Sequence, residues 1–376
     1  MKGSIKQILS SLLCILGGVL VGFIVLLLMA MFNENISLAE AFRGIGIILG
    51  GPFTSGRNMM FQLGNMIFNA TPLIFTGLAV AIAFKTGLFN IGAPGQYLMG
   101  AMTSLLVALS IPSSSVHPSI LWILAFMAGA IAGGIWGAIP GFFKAVLNVN
   151  EVIVCIMSNW IAANVVSWVF KDSRFINYAE TKVNFIVKTE INNVATPTLG
   201  MDSLFSGGAV KSYVDIGIFI AIGVAILLFI MMNKTTFGYE LKACGFNKNA
   251  SKYAGMNEKR NIILSMVIAG ALAGAGAALW CLNGHQDFKW DTYQTLPADG
   301  FNGIVVALLA ANNPIGVIFS SLFLKYLNVS GANLAANTSF NEYVSQLIIA
   351  MIVYFSGFAS YITGKLSNRK KNDLNK

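Results

Sequence analysis

The sequence predicts an all-α integral membrane protein with about ten transmembrane helices. Hydrophobic residues make up 56% of the 376-residue chain and charged residues only 10%, and the mean hydropathy is +0.72, outside the range of ordinary soluble domains. Several apolar runs are long enough to cross a hydrocarbon core of about 30 Å. Lipid offers no partner to an unpaired backbone amide, and barrel strands would alternate in polarity, so each run is interpreted as a helix.

The apolar runs fall into two classes by length. Three short runs occur at 97–111, 300–311 and 315–329. The long runs lie at 10–32, 66–84, 119–143, 152–170, 213–232, 262–282 and 343–363. The first run has no A-x-A cleavage site, so we expect a retained helix and not a signal peptide. The widely separated cysteines are interpreted as packing residues and not as metal ligands or disulfide partners: Cys14, Cys155, Cys244 and Cys281.

The net charge of +9 could indicate nucleic-acid binding, but the distribution of the charges indicates membrane topology instead. Most of the 24 Lys and Arg residues fall on one side of an alternating ten-helix arrangement, notably at 234–260 and from Lys365 onward. Basic residues in short flanks are retained in the cytoplasm. We therefore predict a multi-pass protein of the cell membrane with both termini cytoplasmic.

Two polar segments interrupt the apolar pattern on opposite sides of the membrane. Residues 171–212 mix both signs of charge, and we expect an ordered extracytoplasmic loop there. A connection of this length commonly docks another molecule. Residues 234–260 form the second polar segment, on the predicted cytoplasmic side.

The cytoplasmic segment carries the signals of a short capped helix. Asn247 is predicted to cap a helix that runs through Tyr253, and Gly255 is placed to end it in a left-handed conformation. Asn257 can then cap the next membrane helix. A short helix held between two membrane spans could transmit a displacement to those spans. The alternative is a solvated basic loop whose charge reflects only the retention of basic residues in the cytoplasm.

Two membrane segments are interrupted by glycine and proline. The stretch "AFKTGLFNIGAPGQYLMGAM" at 83–102 and the stretch "TLPADGFNGIVVALLAANNPIG" at 295–316 each open a short hydrophobic segment. Paired interruptions at matching positions indicate a central pathway between two repeats. The backbone groups released near Pro94 are tolerated only where protein or a watery cavity surrounds them.

The organisation predicted from these features is a single transmembrane domain, 1–376, with two related halves. Its parts are an N-terminal helix and external segment at 1–58, a first repeat at 59–170, the extracytoplasmic loop at 171–212, the cytoplasmic segment at 234–260, a second repeat at 261–366 and a cytoplasmic tail at 367–376.

Residues able to do catalysis are sparse. The chain has no G-x-x-x-x-G-K-[ST] phosphate loop, and His117 and His285 fall in predicted external loops as surface or cap residues. Glu151 is interpreted as complementing the N-terminus of its helix, Lys85 as snorkelling from a helix end and Asp299 as capping the helix that follows. We therefore predict no catalytic residue, no metal site and no enzymatic activity, and the scarcity of buried acids weakens ion-coupled transport.

Uncharged amides and aromatic rings do occur at membrane depth. They could offer hydrogen bonds and π faces to a neutral polar solute, and as a set they favour a translocation path; the alternative for each one is hydrogen bonding between helices. The predicted pathway residues are Phe89, Asn90, Gln96, Asn159, Trp160, Asn164, Phe301 and Asn302.

Four motifs, in the same order, resemble the permease subunits of bacterial nucleoside ABC importers. They are "TGLFNIGAPGQYLMGA" (86–101), "NVNEVIVCIMSNWIA" (148–162), "GYELKACGFNKNASKYAGMNEKR" (238–260) and "GFNGIVVALLAANNPIGVI" (300–318). This branch belongs with the ribose, galactose and branched-chain amino acid permeases. The resemblance runs from about Leu73 to about Leu366.

The resemblance implies an assembly. It implies a second, related permease of different sequence, so that the two chains form a heterodimer. It also implies a cytoplasmic ATPase with tandem nucleotide sites that holds the ATP and Mg, and an extracytoplasmic substrate-binding lipoprotein, with no cofactor bound by this chain. It also implies that residues 242–256 form the helix that couples to the ATPase: Lys242, Ala243, Gly245, Asn247, Ala250, Tyr253, Ala254 and Gly255.

The chain departs from the family pattern at Pro94, where many relatives have an acidic residue, so a charge-based role does not apply at this position. The function implied is import of nucleosides. The alternatives are import of a simple sugar such as ribose, which suits the same amide-lined path, a secondary transporter that needs no ATPase, and a membrane enzyme.

Overall fold

The computed structural model describes residues 2–33, 36–112, 114–171, 173, 175–177, 185–186, 194–208, 210–286, 288–289, 291, 294–356 and 358. The predicted cytoplasmic tail, 367–376, lies outside these residues, and so does much of the predicted extracytoplasmic loop.

The described chain is nearly all helical, as predicted. Its helices are α1 (Lys2–Phe32), α2 (Leu38–Gly50), α3 (Met59–Lys85), α4 (Ala93–Ser110), α5 (Pro118–Leu147), α6 (Glu151–Phe170), α7 (Met201–Leu204), α8 (Gly217–Lys234), α9 (Thr236–Phe246), α10 (Lys248–Tyr253), α11 (Glu258–Cys281), α12 (Ala298–Leu309), α13 (Pro314–Asn337) and α14 (Glu342–Ser356). Two short strands, β1 (Ile176–Asn177) and β2 (Phe185–Ile186), pair antiparallel in the predicted extracytoplasmic loop.

Among the described residues, six helices are long and apolar enough to cross a membrane: α3, α5, α6, α8, α11 and α13. The chain is therefore a multi-pass membrane protein. The count of ten spans and the two repeated halves stay predictions.

Three local expectations differ from the structure. The run predicted as short at 315–329 belongs to the 24-residue helix α13, because the polar residues beyond it are buried with partners; Ser330 donates to the carbonyl of Tyr326 over 2.8 Å. Helix α2 was not expected, although Ser37 and Glu40 have the spacing of a capping box, and the Ser37 hydroxyl accepts from the Glu40 N–H. The cap of α12 is Pro297, with Asp299 in the first turn.

The chain divides into two compact units. The first contains Met1–Met66, Leu204–Ser212 and Leu322–Lys376. In it the Asn333 amide donates to the carbonyl of Gly51 and to the hydroxyl of Ser55, at 3.0 and 2.9 Å, and Gln62 donates back to Asn333 Oδ1 over 2.9 Å. These bonds satisfy the carbonyl of a turn between helices that lipid could not solvate.

The second unit contains Ile67–Ser203 and Tyr213–Ser321, and its central contact is the crossing of α5 and α11. Glycines let the two backbones touch: a Cβ at Gly133 would overlap the carbonyl oxygen of Gly270, and a Cβ at Gly270 would overlap that of Gly133. Small residues at helix contacts allow this close packing in membranes. Most of the α11 side chains are buried as a result.

Replacing Gly270 with Val should lower the melting temperature of the detergent-solubilised protein. The new side chain has no space against the Gly133 backbone, and overpacking of this kind costs about 1–3 kcal/mol or more. Gly223→Val on α8 is the matched control, because a Cβ at Gly223 meets nothing within 4 Å. Equal melting temperatures for the two variants would contradict this account of the crossing.

Candidate functional site

The interrupted stretch between α3 and α4, residues 86–96, is here called the break segment. Its two amide side chains are buried, with Asn90 0% and Gln96 1% exposed. Asn90 Nδ2 donates to Gln96 Oε1 over 2.9 Å, and Gln96 Nε2 donates back to Asn90 Oδ1 over 3.1 Å. The Gly92 N–H also donates to Asn90 Oδ1. The break is thus closed by a reciprocal amide pair inside the protein.

Helix α6 satisfies the remaining backbone groups of the break. Asn159, which is 2% exposed, accepts from the Gly95 N–H over 2.9 Å and donates to the carbonyl of Ile91 over 3.0 Å. These two groups are the donor and the acceptor that an interrupted helix leaves unpaired. One side chain from a separate helix therefore holds both sides of the interruption.

The N-terminus of α6 is anchored to the same segment. Asn150 caps the helix by accepting from the Val152 N–H over 2.9 Å. The Glu151 carboxylate pairs with Lys144 at 2.8 Å and accepts a hydrogen bond from the backbone of Phe89. Besides complementing its helix N-terminus, Glu151 therefore joins α5, α6 and the break segment.

The two interruptions predicted from the sequence meet each other. A Cβ at Gly300, in the first turn of α12, would lie 2.6 Å from the Cα of Pro94 at the start of α4. Thr76 of α3 donates its hydroxyl to the carbonyl of Asp299 over 2.8 Å. The N-terminal ends of the two short helices are in direct contact. Pro94 packs where the resemblance implies an acidic residue in relatives.

Helix α9 packs on the break segment through its backbone. A Cβ at Gly245 would overlap the carbonyl oxygen of Lys85 and lie 3.0 Å from the Gly87 N. Gly87 has φ +75°, a left-handed conformation that favours glycine. Next to this contact, Ser265 of α11 donates to Thr86 Oγ1 over 2.9 Å. The backbone of α9 is therefore in direct contact with the residues before α4.

The helix predicted from 247 to 253 is confirmed as α10. The Asn247 side chain accepts from the Ala250 N–H, Gly255 follows the helix with φ +81°, and Asn257 caps α11 by accepting from the Arg260 N–H.

Helices α9 and α10 border a concavity of about 540 Å³, which is lined in part by Lys242, Ala243, Asn247, Ala250 and Ala254. Tyr253 is 94% exposed and Phe246 92%. Aromatic rings without packing partners in the chain are typical of a surface that docks another protein. Of the predicted coupling residues, Gly245 is distinct, because its immediate neighbours are the backbone atoms of this chain.

The remaining predicted pathway residues are exposed or only partly buried, unlike the three amides described above. Trp160 is 57% exposed, and Asn164 is exposed one turn later, donating to the carbonyl of Trp160 over 2.8 Å. On α12, Phe301 is 38% exposed and Asn302 is partly buried. Phe89 is partly buried and stacks on Phe84 with ring centroids 5.3 Å apart. Contact of any of these residues with a solute stays a prediction.

Asp215 and Asn283 form a buried polar cluster that the sequence analysis did not single out. The Asp215 carboxylate accepts from the Gly217 N–H over 2.8 Å and from Asn283 Nδ2 over 2.5 Å. Burial raises the pKa of this carboxyl to about 6. The cluster ties the start of α8 to the turn after α11. An Asp near the start of the apolar run at 213–232 was the available signal.

Comparisons with known proteins place these features in a family. Residues 62–356 match the family described as branched-chain amino acid transport system / permease component. The chain is 35% identical over 318 residues to the guanosine ABC transporter permease protein NupP of Bacillus subtilis, covering 83% of this chain and 86% of that protein.

Two further relatives match along most of their length. The nucleoside ABC transporter permease protein NupB of Lactococcus lactis is 35% identical over 357 residues, covering 94% of this chain and 92% of that protein. A glucose ABC transporter permease of Haloferax volcanii is 28% identical, covering 86% and 84%.

The reciprocal amide pair predicts a strong coupling between Asn90 and Gln96. Asn90→Leu should leave the Gln96 amide buried without its partner, which costs about 1–3 kcal/mol. The double variant Asn90→Leu/Gln96→Met should be destabilised by less than the sum of the two single changes, because it removes both members of the pair. Thermal unfolding of the wild type and the three variants gives this double-mutant cycle.

Asn164→Leu is the control, since this amide is exposed and outside the pair. Additive losses at positions 90 and 96 would show that the two amides act independently and would remove the pair from the description of the break segment.

Proposed function

The chain belongs to the branched-chain amino acid transport system / permease component family, and we propose that it is the membrane-spanning permease subunit of an ABC importer for nucleosides. The observation that carries the substrate class is the 35% identity to the guanosine and nucleoside permeases over most of both chains. The chemistry of the predicted path, with amides and aromatic rings in place of charged groups, supports a neutral polar solute.

The outward face of α6 supports a path beside this helix. A stripe of exposed side chains at helical spacing runs along it: Ile153, Met157, Trp160, Asn164 and Trp168. An amide facing lipid is costly, and a second permease or a solute offers Asn164 Oδ1 a donor that lipid does not. Indole rings suit a nucleobase, because stacking of a base on an aromatic side chain contributes about 1–3 kcal/mol.

The α9–α10 surface supports docking of a cytoplasmic ATPase that binds the ATP and Mg. The exposed rings of Phe246 and Tyr253 flank a concavity, and α9 touches the break segment at Gly245. ATP-driven closure of the partner would move this hairpin and shift the permease between outward-open and inward-open states.

The remaining parts of the proposal follow from the family. The path forms between this chain and a second, related permease. A substrate-binding lipoprotein docks at the extracytoplasmic loop. The basic α9–α10 side and both termini face the cytoplasm. Within the chain, the two interrupted segments belong to two related halves of a single permease domain.

Uptake of labelled guanosine, uridine and ribose in a strain that lacks this gene tests the proposal. We expect loss of nucleoside uptake, its restoration by the wild-type gene, and dependence on ATP in proteoliposomes of the purified complex. Loss of ribose uptake alone would favour the sugar alternative, which the glucose permease relative supports. Transport by the chain alone without ATP would replace the importer with a secondary transporter.

Trp160→Ala should reduce nucleoside uptake roughly 10-fold, the loss of about 1–3 kcal/mol of base stacking, with little change in protein level. Phe219→Ala is the matched control, because Phe219 is 60% exposed on α8, outside the proposed path. Equal uptake by the two variants would argue against a base-stacking role for Trp160.

Ala254→Glu should uncouple ATP hydrolysis from transport. Ala254 is exposed and lines the α9–α10 concavity, so a charged, larger side chain obstructs docking without disturbing the packing of the chain. Asn249→Glu adds the same charge to the same helix away from the concavity and is the control. ATPase activity and uptake in proteoliposomes are the measurements, and normal uptake by Ala254→Glu would count against the docking surface.

A further inference from the structure

A small pocket lies where α3, α8 and α9 meet the turn between α12 and α13. It has a volume of about 90 Å³, and its lining includes the two lysines Lys85 and Lys242 together with Asn313 and, on the apolar side, Leu78 and Leu228. It lies within one compact unit. None of its described lining residues is an Asp or Glu.

The two lysines bring like charges to one pocket. The ion pair found among the described residues joins Lys144 to Glu151, so neither Lys85 nor Lys242 has a carboxylate partner in that part of the chain. Two ammonium groups that share a pocket repel each other unless an anion lies between them. The net positive charge of the pocket therefore favours a negative ligand.

Hydrogen-bond donors also converge on the pocket. Asn313 uses its Oδ1 to accept from the Ile315 N–H over 3.0 Å, which leaves its Nδ2 as a donor. Asn233 is also part of the lining, but its Nδ2 already donates to the carbonyl of Phe229 over 2.9 Å. A tetrahedral phosphate, with several acceptor oxygens, suits two ammonium groups and an amide better than a single halide or water does.

The apolar wall identifies the source of the phosphate. Leu78 precedes Lys85 by seven residues of α3, about 10 Å along the helix, so the pocket extends from the charged end of the helix into its membrane-spanning part. On α8, the lining residues Leu228 and Met232 are also apolar. An anion with acyl chains can occupy both environments, whereas a free phosphate or an acidic side chain of an ATPase occupies only one.

We propose that this pocket binds the headgroup phosphate of an anionic phospholipid, with its acyl chains on the side of the pocket lined by apolar residues of α3 and α8. Basic pockets between membrane helices on the cytoplasmic side are suited to such headgroups. The assignment to the cytoplasmic leaflet depends on the membrane orientation given under the proposed function. The binding of the lipid to the pocket does not depend on that function. Because Lys242 is on α9 and also borders the α9–α10 concavity, the lipid lies beside the helix that contacts the break segment.

The test is lipid binding to the full-length protein, purified in detergent with the subunits that accompany it and stripped of lipid. Dioctanoyl phosphatidylglycerol is titrated against dioctanoyl phosphatidylcholine and against glycerol phosphate. We expect phosphatidylglycerol to bind at least tenfold more tightly than either. The double variant Lys85→Gln/Lys242→Gln should weaken the binding of phosphatidylglycerol roughly 30-fold, because each lysine near an anionic headgroup contributes about fivefold to the affinity.

The matched control is Lys252→Gln/Lys259→Gln, which removes two exposed charges outside the pocket and should change binding less than about twofold. If the double pocket variant does not fold, Lys242→Gln alone should weaken binding about fivefold. Unchanged phosphatidylglycerol binding in the pocket variants, or an equal loss in the control, would overturn the site. Glycerol phosphate binding as tightly as the lipid would overturn the assignment to a phospholipid. These results do not depend on transport, so a failed lipid site and a failed nucleoside proposal are distinguishable.

Discussion

The absence of hydrogen-bond partners in lipid is the constraint from which the architecture of the second compact unit follows. A helix interrupted at membrane depth releases donors and acceptors that must be paired within the protein. Here Asn90 accepts from the Gly92 N–H, and Asn159 accepts from the Gly95 N–H and donates to the carbonyl of Ile91. Because Asn159 is on α6, the interruption fixes how α4 and α6 pack.

The same segment connects the two ends of the proposed mechanism. One of its sides meets α9 through the Gly87–Gly245 backbone contact, and its other side meets α12 through Pro94 and Gly300. Backbone contacts leave no flexible side chain to absorb a displacement, and packed interiors deform in discrete steps. In the proposed mechanism, a push on the α9–α10 surface reaches the junction of the two short helices through these contacts.

Polar groups in this protein divide into two kinds by their surroundings. Buried amides such as Asn90 and Asn159 hold the chain together, while exposed groups such as Asn164 and the lysines of the small pocket lack complete partners within it. Sequence alone presents both kinds as amides or cations in an apolar chain. Their different roles follow from packing, because a buried polar group needs a partner inside the chain and an exposed one can take it from a ligand or a second subunit.

The sequence by itself determined the membrane class, the nearly all-helical architecture, the caps at Asn247 and Asn257, the position of both interruptions and the family, but not helix α2 or the length of α13. Those features depend on local periodicity, on cap chemistry or on the order of motifs. Only the tertiary structure decided that the interruptions touch at Pro94 and Gly300 and that the amide of Asn159 lies inside while Asn164 faces outward. These outcomes depend on contacts between residues far apart in the chain, and the spacing of residues along one helix does not encode which neighbour covers each face.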